Sequence, residues 1–281
     1  MDSLFDLPEF KKLLDSPPLD RSRQVPRAVD LCSNPLRRKE REHIEAIFGR
    51  LPDSSYKREV QNRLLSQDLG NHLGAWYELM VYDWLDGLGK ATTLQPSIAD
   101  AKSTPEFLVE SDGLQVFIEV TVLQEAHGDT DVGDVWWTEA TDTFRKIGDK
   151  LREKSGQHAI PPGSAYVICL GIESRLIELG DVKTYFIGGE SVGKSGDLYP
   201  NLNGEIFEIH DNMPLLVKHR DVSALLVARR NRASIEDGYK LVFGLIQNPF
   251  ALTPIPETEF GQLRRYVVVS ETQTHHTMKW V

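Results

Sequence analysis

The chain has 281 residues, 40% of them hydrophobic, which suffices for the interior of one large domain or of a core with appendages. Its formal charge of −10 excludes a generally basic surface, so any contact with phosphate must be local or supplied by a partner. Two cysteines, Cys32 and Cys169, exclude a disulfide framework and a cysteine-based zinc site.

Residues 1–35 carry prolines at 8, 17, 18, 26 and 35 among scattered charges and read as an arm with one short helix. The opening MDSLFDLPEFKKLLD alternates charge with hydrophobe, and no apolar run approaches the roughly 18 residues of a membrane span. A soluble cytoplasmic protein is expected. From Arg37 to Gly89 the spacing is helical in three pieces: RRKEREHIEAIFGRL, YKREVQNRLLSQDL and AWYELMVYDWLDGLG. The third piece is apolar almost all round, which predicts burial.

Strands follow in TTLQPSI, TPEFLVES and LQVFIEVTVL, the last two joined by Asp112-Gly113. An Asp-Gly between two such runs is a strong hairpin signal. A helix is predicted from Val135 to His158, with Trp137, Ala140, Phe144, Ile147 and Leu151 on one stripe and Pro161-Pro162-Gly163 as its stop. A buried strand, AYVICLGI, leads out, with Cys169 as a small hydrophobe inside it, and VSALLVAR, KLVFGLI and RRYVVVS add further strands. The class is α/β. The layout divides into an arm with helices (1–69), a core (70–175) and a strand-rich C-terminal extension (176–281).

With Asp112-Gly113 as a two-residue loop, Ser111 faces Leu114, Leu108 faces Phe117, and Glu106 faces Glu119. Like charges directly opposed across strands are destabilising, and a hard divalent cation such as Mg²⁺ would relieve them. Glu78, among apolar neighbours on the third helical piece, also needs a partner, and the hairpin acids are one candidate. The plainer alternative places all three acids at solvated edges.

The series Glu78, Thr104-Pro105-Glu106-Phe107, Phe117-Ile118-Glu119-Val120-Thr121 and a helix bearing Lys146, Lys150, Lys154 and Gln157 resembles the PD-(D/E)XK nuclease superfamily, over about residues 70–173. The resemblance implies a restriction-endonuclease-like mixed sheet flanked by helices and a metal-dependent nuclease. Glu106 and Glu119, with the Val120 carbonyl and Glu78, would hold Mg²⁺ or Mn²⁺. Nucleic acid, DNA before RNA, would be the substrate. No membrane partner is expected, and a homodimer or larger complex is compatible. Two positions depart from the superfamily pattern. Glu106 replaces the usual Asp, and Thr121 replaces the usual Lys, so the positive charge must come from elsewhere or catalysis is lost. The resemblance permits a lysine on the neighbouring helix. Lys146 and Lys154 read first as a solvated face, whereas Lys150 stands evenly between that role and the site. The alternative function is a nuclease-fold protein without catalysis, serving as a binding or interaction module.

Between Arg145 and Lys154 there are five basic and two acidic residues, which with His219, Arg220, Arg229, Arg230 and Arg232 form the best phosphate-facing surface. GGESVGKSGD superficially suggests a phosphate loop, but no apolar strand plus helix frames it convincingly, and it reads as a surface loop. His72 and His275-His276 lack metal partners at recognisable spacing. Trp136 is open to a base-stacking role, while Trp137 belongs to the apolar stripe.

Overall fold

The structure is a computed structural model and describes residues 4–6, 8, 11–12, 27–99, 103–111, 113–123, 147–173, 206–208, 219–231, 239–248, 250–256, 258–261, 263–271 and 275–280. The chain forms two compact units, one of residues 1–94 and 230–242, the other of residues 95–229 and 243–281. The helix expected to open the core therefore belongs to the first unit, and the last strands belong with the hairpin.

The first unit is helical: α1 (Arg27–Ser33), α2 (Arg38–Arg50), α3 (Ser55–Leu64) and α4 (Leu69–Gly87), followed by the short strand β1 (Thr92–Leu94). Pro52 stops α2, because the residue before a proline avoids the helical region and Leu51 is extended at ψ 135°. Ser54 restarts the helix by accepting from Lys57 N, and Asp68 does the same for α4 by accepting from Asn71 N. Gly89 ends α4 at φ +70°, and Lys90 N closes back onto Leu85 O. As its composition predicts, α4 buries most of its surface, including Trp76, Tyr77, Leu79 and Val81. Among the described residues no helix is long and apolar enough to cross a membrane.

The second unit is built on a mixed sheet. Its strands are β2 (Phe107–Ser111), β3 (Leu114–Leu123), β4 (Ala165–Ile172), β5 (Ile206–Glu208), β6 (Ala224–Arg230), β7 (Leu241–Gln247), β8 (Arg264–Glu271) and β9 (His275–Trp280). They stand in the order β2-β3-β4-β6-β7-β8-β9-β5. β3, β4 and β6 run parallel, as do β7 and β8, whereas β2 pairs antiparallel with β3, and β9 antiparallel with both β8 and β5. The molecule is thus α/β. The parallel centre explains why AYVICLGI is buried along its whole length, since both faces of such a strand are covered.

Ser111 pairs with Leu114, so the hairpin turns in two residues; Gly113 takes φ +81°, and Asp112 lies outside the described residues. One sheet face carries Phe117, Tyr166, Ile168, Leu170, Leu225 and Val227, and a helix described over 147–155 (α5) covers it with Ile147 and Leu151. Residues 135–146 of the longer helix expected there, with Trp136, Trp137 and Lys146, lie outside the described residues, as do GGESVGKSGD and Arg232. The strands β5 and β9 had no clear sequence signal. β5 is three residues long, and HHTMKW alternates only over Met278 and Trp280, too short a pattern to mark a strand.

Candidate functional site

The hairpin determines where the two acids fall. β2 begins at Phe107 opposite Ile118, which leaves Glu106 just ahead of the strand and Glu119 one residue beyond the last position of β3 paired with β2. Glu106 turns its carboxylate onto the neighbouring strand, where Oε2 accepts from Val120 N at 2.7 Å. Gln95 N in turn donates to Glu106 O at 2.8 Å, fixing the backbone that carries the acid.

Glu119 shares the sheet face of Phe117, so it enters the layer covered by α5 and is only 2% exposed. An ionised carboxylate there needs partners on both oxygens. Oε1 lies 2.6 Å from Lys154 Nζ, and Oε2 lies 2.8 Å from His158 Nε2. Lys154 stands in the last turn of α5 and His158 three residues beyond the helix, where the apolar stripe of Ile147 and Leu151 has already brought the helix onto the sheet. Burial pushes the Glu119 carboxyl up, but the His158 hydrogen bond and the Lys154 charge outweigh it and hold the group below the usual carboxylate range.

The end of α5 is fastened at successive residues. Tyr166 Oη donates to Lys154 O at 3.1 Å, Ser155 Oγ lies 2.7 Å from His219 Nδ1, and Ser103 Oγ donates to Gln157 O at 3.4 Å. His158 Nδ1 reaches Ser103 O at 3.0 Å and Ser103 Oγ at 3.2 Å. His219 is placed by Asn248, whose Nδ2 donates to His219 O and Val222 O. Tyr166, edge-on to the His158 ring, has its hydroxyl pKa pushed up by burial and then by the charges of Glu119, Glu106 and Asp221. Lys154 is the cation set directly against Glu119.

The residues singled out in the sequence divide clearly. Glu106 bonds the backbone of Val120, the residue after Glu119. Thr121 is buried two residues beyond Glu119 on the same face and brings no charge. Lys150 turns to Glu153, its Nζ 2.8 Å from Oε2, on the exposed side of α5. Lys154, which by sequence reads as part of a solvated row, instead occupies the acid, and His158 has no counterpart in the sequence reading. Lys154 carries a signal in retrospect, because it stands at i+3 from Leu151, the last apolar residue of the stripe. Lys146 lies outside the described residues.

Glu78 belongs to the first unit, and its partner there is Arg63, with Nη2 2.7 Å from Oε1 and Nη1 3.0 Å from Oε2, a fork-to-fork pair. Tyr56 Oη adds a longer contact at 3.4 Å. Gly74, one turn before Glu78, leaves the room: a Cβ at that position would stand 2.5 Å from Arg63 Nη2. In the same unit Glu40 accepts from Trp76 Nε1 and Arg230 Nη1, while the Arg230 guanidinium stacks on the Trp76 ring at 3.6 Å, so Arg230 is packed inside the unit.

Among the described residues no three His, Cys, Asp or Glu side chains are grouped as a metal cage. Mg²⁺ does not require such a cage: it commonly takes one or two protein carboxylates, with water and substrate phosphate completing its shell. The carboxylates of Glu106 and Glu119 and the carbonyl of Val120 are donor types of that kind. Glu119 retains acceptor capacity beyond its two contacts, because each carboxylate oxygen has two lone pairs. Oxygen donors of these types are the ones that Mg²⁺ or Mn²⁺ prefers.

The chain matches no family model, no curated protein and no solved structure.

Proposed function

We propose that this chain is a metal-assisted phosphodiester hydrolase acting on nucleic acid, DNA before RNA, with a divergent PD-(D/E)XK site on a restriction-endonuclease-like sheet. One observation carries the proposal: Lys154 Nζ lies 2.6 Å from Glu119 Oε1, which supplies beside the strand acids the cation that Thr121 lacks. In this reading Glu106, Glu119 and the Val120 carbonyl would hold Mg²⁺ or Mn²⁺. Such an ion supplies an activated water and neutralises phosphate charge. Lys154 holds a positive charge at the edge of the buried layer, where a phosphate oxygen gaining charge would meet it. His158 keeps Glu119 oriented, and Glu106, tied to Val120 N, keeps its carboxylate beside the same strand position.

A second reading draws on the same contacts. Glu119 already has a cation on one oxygen and an imidazole on the other, an arrangement that is stable without a metal. A nuclease-fold module that binds nucleic acid or protein without cutting would look like this. Incubation of supercoiled plasmid and linear DNA with the purified chain and millimolar Mg²⁺ or Mn²⁺ separates the two. Metal-dependent cleavage that Glu119→Ala abolishes establishes the enzyme. Absence of cleavage with both ions, together with no heat of Mn²⁺ binding, overturns it.

A further inference from the structure

Glu106 stands just ahead of β2 and Glu119 lies on β3, and the hairpin register does not set the spacing of their carboxylates. Their carboxylates need a common reference if they are to hold one ion at a set separation. The side chain that supplies one is His158. Its Nε2 lies 2.8 Å from Glu119 Oε2, and its Nδ1 lies 3.0 Å from the carbonyl oxygen of Ser103, three residues ahead of Glu106. Ser103 Oγ closes the same link at 3.2 Å to Nδ1, with a second contact at 3.4 Å to Gln157 O. The ring itself is completely buried, packed edge-on against Tyr166, and cannot swing to a different rotamer without opening the layer.

We propose that His158 is a positioning residue for both acids. One nitrogen orients the Glu119 carboxylate, and the other ties down the segment 103–106 that delivers Glu106. The proposal rests on the metal-assisted reading of the site and adds to it which side chain sets the spacing of its donors. Partners that hold a metal ligand in place typically change metal affinity or activity by about 10- to 100-fold when removed. Here one ring does so for two ligands at once.

The two arms are separable by substitution. A glutamine side chain places its amide nitrogen near the position of imidazole Nε2, and an asparagine near that of Nδ1. His158→Gln therefore keeps a donor for Glu119 and gives up the Ser103 arm, while His158→Asn does the reverse. His158→Ala gives up both.

The experiment is calorimetric titration of the full chain with Mn²⁺ alone, with Glu119→Gln as reference for loss of the acid, alongside thermal melts of each variant. Wild type is expected to bind Mn²⁺ and Glu119→Gln to lose it. His158→Ala should weaken binding by about 10-fold or more, and His158→Gln and His158→Asn should each fall between wild type and His158→Ala. The melts of the Gln and Asn variants should remain single and cooperative, so that a merely structural loss is distinguished. Wild-type Mn²⁺ affinity in both the Gln and the Asn variant overturns the positioning role and leaves the proposed function standing. Full loss with one and none with the other confines the role to one acid and overturns the two-acid claim. Failure of wild type to bind Mn²⁺ overturns the function itself, and the positioning role with it.

Discussion

Lys154 Nζ stands 2.6 Å from Glu119 Oε1, while Lys150, one turn earlier on the same helix, spends its charge on Glu153 at 2.8 Å. The two lysines are alike in sequence and opposite in consequence. Glu119 is buried, so removing Lys154 leaves its charge with the imidazole alone. Lys154→Met is expected to cost about 3 kcal/mol of stability, as breaking a buried pair does. It should also lower metal-dependent cleavage by about 100-fold or more, the usual loss when a charge stabiliser is removed. Lys150→Met, which breaks an exposed pair, should shift stability by less than about 0.5 kcal/mol. Urea denaturation and plasmid cleavage measure both. Equal losses for the two lysines would place the functional cation elsewhere.

The Glu78–Arg63 pair makes an independent prediction for the first unit. With Glu78 only 1% exposed, Arg63→Met removes the guanidinium from a buried carboxylate and should cost about 3 kcal/mol. Adding Glu78→Gln to that background should recover part of the loss, since residues in direct contact are not additive. Gly74→Ala tests the same pair from the other side. Alanine is favoured over glycine in a helix by about 1 kcal/mol, yet here its methyl meets Arg63 Nη2 and displaces the guanidinium from Glu78. Net destabilisation is expected. A stabilised Gly74→Ala chain would mean the pair contributes less than the propensity gain.

How far the sequence foretold these features depended on the range of the interaction. The hairpin was legible because Asp112-Gly113 and the flanking runs are a local code, and the register they imply is the one found from Phe107↔Ile118 to Ser111↔Leu114. Leu114–Leu123 and Ala165–Ile172 were legible from their apolar β-branched runs. The partners of Glu119 were not. Lys154 sits in FRKIGDKLREK among alternating charges, and its charge pattern matches a solvated face. Only the angle at which α5 meets the sheet decides which lysine turns inward. His158 follows the helix as a lone histidine, and nothing local says that a strand acid lies across from it. Glu78 was read as an acid in need of a partner, but Arg63 lies on a different helix, and the opening at Gly74 that admits it is a property of packing rather than of pattern.

Acid should weaken the second unit through Glu119. Its folded pKa lies below the ordinary 4.5, because the His158 bond and Lys154 charge prevail over burial. A depressed acid stabilises the fold at pH above the unfolded value and loses that contribution as pH falls through the folded one. Asp221 works in the opposite sense, since burial raises its pKa, so its contribution is present at low pH and lost as pH rises. The free-energy difference between wild type and Glu119→Gln should be full at neutral pH and close as pH drops below about 4.5. Urea denaturation across that range measures it, and a pH-independent difference would show that Glu119 is not held ionised by its two partners.

Glu106 separates stability from chemistry. Its Oε2 satisfies Val120 N at 2.7 Å, and an amide oxygen can accept that bond equally well. Glu106→Gln should therefore fold with a loss of less than about 1 kcal/mol, whereas Glu106→Ala leaves a strand N–H without its acceptor and should cost about 1–2 kcal/mol. The proposed site needs the negative charge as well as the acceptor. Glu106→Gln should thus weaken Mn²⁺ binding and cleavage almost as much as Glu106→Ala does, despite its better stability. Calorimetric titration beside urea denaturation gives both quantities on the same protein. If Mn²⁺ affinity instead follows stability, with Glu106→Gln near wild type, then Glu106 serves only to tie the hairpin to Val120 and the ion is held by Glu119 without it.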